Sequence, residues 1–108
     1  MPDWTIDFAS ARVEEEILAL PAGHVARFLR YAERMQKWGP DLGMPHTRAM
    51  GRGLFELRVQ AAEGIARLFY CPAPGRRIVF VHSFVKKTGK TPAGVLDLAR
   101  RRMRQADG

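Results

Sequence analysis

Residues 54–85 read LFELRVQAAEGIARLFYCPAPGRRIVFVHSFV, three runs of strand-forming residues parted by the turn-rich connections AAEG (61–64) and PAPG (72–75). Connections this short join antiparallel neighbours, because a parallel pair needs a crossover of roughly a dozen residues or more. LFELRVQ (54–60), IARLFYC (65–71) and RIVFVHSFV (77–85) therefore predict a three-stranded antiparallel meander. Side chains alternate across a strand, so Phe55, Leu57 and Val59 share one face of the first run and Glu56, Arg58 and Gln60 the other. In the second run Ala66, Leu68 and Tyr70 alternate with Ile65, Arg67 and Phe69.

Working outward, WTIDFA (4–9) suits a short first strand. From Ala11 to Leu20 the spacing turns helical, with Val13, Ile17 and Leu20 on one side and Glu14, Glu15 and Glu16 near the positive end of the helix dipole. Pro21 interrupts it. A second helix carries Val25, Phe28, Leu29, Ala32 and Met35 as an apolar stripe, points Arg27, Arg30, Arg34 and Lys37 elsewhere, and ends at Gly39-Pro40. GPDLGMPHTRAMGRG (39–53), with four glycines and two prolines, reads as an ordered loop. Thr91-Pro92 offers an N-cap and a proline in the first turn of a last helix, Pro92 to about Arg104, with Val95, Leu96, Ala99 and Met103 inward and Arg100, Arg101 and Arg104 outward. The expected architecture is a single α+β domain over residues 1–108: short strand, two helices, meander, C-terminal helix, with the helices on one face of the sheet and a polar face opposite.

The bulk composition narrows the function classes. At 108 residues, 46% hydrophobic and 27% charged, the chain is sized for one core. No apolar run approaches the roughly 20 residues of a membrane span, and MPDWTIDF has neither a basic leader nor an apolar signal core, so a cytoplasmic protein that avoids the membrane is expected. Cys71 is the one cysteine, which rules out an internal disulfide and a cysteine-based metal site. His24, His46 and His82 show no metal-ligand spacing, and no metal or cofactor is expected. The formal charge of +7 is unevenly spread: residues 1–51 carry six Lys/Arg against seven Asp/Glu, and residues 52–108 twelve against four. Segregation of this kind favours a polyanion-binding face over a merely solubilising surface.

Arg67 stands in an otherwise apolar strand, where a guanidinium needs an anion, either the Glu56 carboxylate or a ligand phosphate. After the third strand come Lys86, Lys87 and, past Gly89, Lys90. Arg58, Arg67, Lys86, Lys87 and Lys90 are thus expected to converge on one electropositive depression suited to RNA phosphates.

GLFELR (53–58), RLFY (67–70) and IVFVHSFVKKTGKTP (78–92), followed by a basic amphipathic helix, resemble the phage-derived branch of the RelE/HigB toxin superfamily, and LP (20–21) and WGP (38–40) fit the same pattern. The resemblance implies a RelE-like compact fold and the toxin of a type II toxin–antitoxin pair. It implies a metal-independent endoribonuclease that cuts messenger RNA on the ribosome through the RNA's own 2′-hydroxyl, and a monomeric toxin whose antitoxin is a helix-turn-helix protein. On that likeness Arg67 stabilises the transition-state phosphate, Lys86 or Lys87 binds phosphate and assists the leaving group, Arg58 and Lys90 dock the backbone, and Phe84 supports a base. PAGVLDLARRRMRQADG (92–108) lacks the C-terminal tyrosine or histidine of several superfamily members, which leaves Tyr70, His82 and Glu56 as candidate general bases. Two other readings stay open: a same-fold inhibitor of DNA gyrase, and a non-catalytic nucleic-acid-binding regulatory module.

Overall fold

The structure is a computed structural model that describes residues 3–86 and 92–107, Lys86 and Asp107 by backbone alone. Among the described residues the order is β1 (Thr5–Phe8), α1 (Ala11–Leu18), α2 (Ala22–Trp38), β2 (Thr47–Gly51), β3 (Leu54–Ala61), β4 (Gly64–Ala73), β5 (Arg77–Lys86) and α3 (Ala93–Asp107). The strands form one sheet of order β1-β5-β4-β3-β2, with β1 parallel to β5 and the other pairs antiparallel.

The meander β3-β4-β5 is the centre of that sheet, but the sheet is wider than the sequence predicts. β2 arises inside the stretch read as loop: Thr47 pairs with Leu57, Arg48 with Glu56 and Ala49 with Phe55, and the register shifts before Gly51 meets Leu54. Weak intrinsic strand preference is overridden there by an available edge on β3. On the other side β1 adds in parallel to β5, which the long intervening chain permits.

A second correction concerns the helices. α1 and α2 cover one face, with Val13, Ile17, Phe28 and Met35 packed in one cluster with Leu57, Leu68, Tyr70 and Phe80. α3 lies on the opposite face, where Ala99 and Met103 join Leu54, Phe69, Cys71, Val79 and Val81. The cause lies in β4 and β5, which are apolar on both sides over these residues, so both faces there demand cover. A bulge adjusts the fit: Phe69 pairs with His82 and Tyr70 with Phe80, so Val81 is the extra residue on β5. Arg100, read as outward, donates to the carbonyls of Met50 at 2.7 Å and Gly51 at 3.1 Å. Arg102 donates to the Val81 carbonyl at 3.0 Å and pairs with Glu16 of α1 at 3.1 Å.

Local signals set the helix ends. Ser10 caps α1, its hydroxyl accepting from the Val13 amide at 3.2 Å. α2 stops at Trp38, where Gly39 takes φ +96° and a Cβ would come 3.3 Å from Trp4 Nε1, so glycine is needed for conformation and for space. No described helix is long and apolar enough to cross a membrane.

Phe80 is the hub of the first cluster, its ring 5.2 Å from Phe28 edge-on, 5.1 Å from Tyr70 and 6.2 Å from Phe8. Phe80→Ala should lower unfolding free energy by about 3–5 kcal/mol. Urea denaturation followed by circular dichroism measures this, and a loss under about 1 kcal/mol would move the core's centre elsewhere.

Candidate functional site

Beyond Phe69, toward the ends of β3 and β5, the face that α3 occupies turns polar. Register sets Arg48 opposite Glu56, Arg58 opposite Arg67, and Arg67 opposite Phe84. Three arginines and one carboxylate therefore occupy adjoining positions of the sheet. They line a recess of about 90 Å³ whose outer wall is Met44, Pro45 and His46 from the α2–β2 connection.

Arg67 is the electrostatic problem at the floor. Its side chain is 13% exposed, and Nη1 donates to Glu56 Oε1 at 2.7 Å, with the Glu56 side chain 6% exposed. Glu56 reaches it along the diagonal of the ladder, since the residue directly opposite Arg67 is Arg58. Like charges placed directly opposite repel, and the single carboxylate offsets only one of them. Arg67 Nε is buried and has no hydrogen-bond partner among the described residues. Arg48 and Arg58 are exposed, and among the described residues neither forms an ion pair. The recess thus holds more positive charge than its own carboxylate neutralises.

The wall is held by a self-bonded turn. Asp41 accepts from the Gly43 amide at 2.9 Å and the Thr47 hydroxyl at 3.1 Å, and the Thr47 oxygen accepts from the Leu42 amide at 3.0 Å. Tyr70 donates its hydroxyl to the Pro40 carbonyl, anchoring the same segment to the core. The His46 carbonyl accepts from the Arg58 amide at 2.8 Å, which fixes the wall to β3. His46 Nδ1 lies 3.2 Å from the Tyr31 hydroxyl, and the two rings are 5.2 Å apart.

Of the residues singled out from sequence, Glu56, Arg58 and Arg67 meet in the recess. Phe84 is the strand neighbour of Arg67 and packs partly against the α3-side cluster. Lys86 ends β5 opposite Ile65; its side chain, and Lys87 and Lys90 altogether, lie outside the described residues. Tyr70 is fully buried on the other face, its hydroxyl engaged by Pro40 and its pKa raised by burial, so the sheet separates it from the recess. His82 sits under α3, stacked 6.4 Å from Phe69 with Nδ1 3.2 Å from Arg102, rather than in the recess. Burial lowers its pKa, the Arg102 charge adds to this, and Glu16 opposes it. Arg48 and His46 were not singled out from sequence as site residues. The signal for Arg48 was the β2 pairing, hidden in a glycine-rich stretch, and the signal for His46 exists only once that stretch folds against β3. Among the described residues no group of three His, Cys, Asp or Glu is placed to hold a metal ion.

The fold and the recess define a small basic α+β domain built round an arginine-lined depression. The chain belongs to the family described as phage-derived protein Gp49-like (DUF891), which matches residues 15–104. A comparison with curated proteins gives no match.

Removing one partner of the buried pair should show what it contributes. Glu56→Ala strands the Arg67 charge and is expected to cost about 3–5 kcal/mol, whereas Glu56→Leu with Arg67→Met should regain most of that loss. A double variant as unstable as the single one would locate the cost elsewhere.

His82 gives a pH signature. Its folded pKa lies below the ordinary value of 6.5, so between the two the unfolded chain binds more protons and stability falls as pH drops below about 6.5. Urea midpoints near pH 7.5 and pH 5.5 should differ less in His82→Gln than in the parent; equal differences would remove His82 as the source.

Proposed function

We propose that the protein is the toxin of a type II toxin–antitoxin pair and cleaves messenger RNA on the ribosome. The observation that carries this reading is the excess positive charge of Arg48, Arg58 and Arg67 over the single Glu56 carboxylate in one recess of a Gp49-like domain. A phosphodiester is the ligand that supplies the missing negative charge in a volume this small.

In the proposed reaction the 2′-hydroxyl attacks the adjacent phosphorus in line, the bond to the 5′-oxygen breaks, and the products are a 2′,3′-cyclic phosphate and a 5′-hydroxyl. Arg48 and Arg58 grip the non-bridging oxygens, whose charge grows in the transition state. Arg67, oriented by Glu56, adds its field from the floor. His46 takes the 2′-hydroxyl proton: it is at the recess wall and its Nδ1 is tied to Tyr31, the base-and-orienter arrangement that proton transfer needs. Lys86, Lys87 and Lys90 keep the phosphate-binding and leaving-group roles read from sequence, and Phe84 the support of a base. RNA brings its own nucleophile, so this route uses no cofactor. The antitoxin, a helix-turn-helix protein, blocks the recess of a monomeric toxin.

A non-catalytic nucleic-acid-binding role is the second reading, favoured by one observation: Arg67 already donates to Glu56. Mapping of message ends on translating ribosomes after induced expression separates the readings. The expected result is growth arrest with new ends inside codons, reduced about tenfold or more by Arg58→Ala, and lost in His46→Ala with RNA binding retained. Arg67→Ala is a poorer probe, because it leaves Glu56 buried without its partner. Arrest with intact messages and broken DNA would point to gyrase, and absence of arrest to the binding module.

A further inference from the structure

The recess does not end at its wall. Pro45, His46 and Arg58 also border a second groove of about 310 Å³, shared with Gln60 and with Arg27 and Tyr31 of α2. Arg27 and Tyr31 in turn border a third of about 200 Å³ with Arg30 and Arg34. Each groove thus shares lining residues with the next. Positions 27, 30, 31 and 34 follow the three-and-four spacing of one helix face, so the arginine stripe is continuous. The crossing from one face of the sheet to the other occurs at Arg58, just past the last β2–β3 pair, Thr47 with Leu57, where β3 is bordered only by the wall.

The charges along this path are available. Two acidic groups elsewhere are already engaged, Asp7 with Arg77 at 2.9 Å and Glu16 with Arg102 at 3.1 Å. Among the described residues none of Arg27, Arg30 and Arg34 forms an ion pair, and all three are exposed. Rings are interleaved with the cations: Tyr31 beside His46, with the Arg34 guanidinium 5.9 Å from the Tyr31 centroid. Cations that track a backbone beside rings that accept unstacked bases form the surface that binds single-stranded nucleic acid without reading its sequence.

We propose that the recess is one end of a longer track for single-stranded RNA, continuing past His46 and Arg58 onto the Arg27–Tyr31–Arg34 stripe of α2. The inference rests on the reading of the recess as a phosphate site and adds where the flanking strand runs. A duplex is the poorer fit, because the track bends over a sheet edge and its rings need bases free of pairing.

The test uses uncleavable 2′-deoxy-substituted oligonucleotides of about four and about twelve residues, with affinity followed by fluorescence anisotropy across a salt series. The triple variant Arg27→Ala, Arg30→Ala, Arg34→Ala changes exposed helix positions to a strong helix former and should stay folded. It is expected to weaken the long oligonucleotide about tenfold or more and to lower its salt slope by about two, the amount for three phosphate contacts. The short one should bind unchanged. Unchanged long-oligonucleotide affinity would overturn the track while the recess reading stands, and would assign the stripe to an acidic protein partner. An equal loss for a duplex would overturn the single-strand assignment. Failure of the parent protein to bind either oligonucleotide would overturn the recess reading and the track together.

Discussion

A guanidinium in the middle of a sheet has to be neutralised where it stands, and Arg67 is that guanidinium. Burial of an unpaired charge is the costliest event available to a domain this small. Glu56 meets the demand from the neighbouring strand, and the register that brings it there also sets Arg58 directly across from Arg67 and Arg48 across from Glu56. The same pairing that makes Arg67 tolerable therefore assembles a cationic site around it. Stability and site follow from one alignment of β2, β3 and β4.

Partial cover of the second face completes the arrangement. Were α3 absent, Phe69, Val79 and Val81 would face water; were the whole face apolar, the helix would leave no room for a ligand. The change from apolar to polar along β4, Phe69 to Arg67, marks where α3's cluster gives way to the recess. The 39–46 segment supplies the missing wall, and its rigidity comes from Asp41, Thr47 and the Tyr70 hydroxyl rather than from regular structure. Tyr70 thus affects the site through packing, from the far side of the sheet.

Much of this is legible in the alternation of residues 54–85, which places Glu56, Arg58 and Arg67 on one face. The alternation also contained the correction: Phe69, Cys71, Val79 and Val81 lie on that same face, and weighing them would have required a helix over it. β2 was illegible for a different reason. A strand made of Thr-Arg-Ala-Met-Gly has little preference of its own and exists because β3 offers an edge. His46 was unreadable because its neighbours Tyr31 and Arg58 are distant in sequence and share no period with it.

The division of charge by sequence half carried a related error. It set the arginines of α2 aside as part of a balanced region, although the acids that balance them on paper include Asp7 and Glu16, which pair with Arg77 and Arg102. Folding uses up carboxylates of the first half on cations of the second. Among the described cations that form no ion pair, five drawn from both halves, Arg27, Arg30, Arg34, Arg48 and Arg58, border connected grooves. Solvation alone gives no reason for such a set to adjoin, because neighbouring like charges repel and dispersal costs nothing. On the reading proposed above, cations set side by side next to rings and along connected grooves suit a flexible polyanion that meets them in succession.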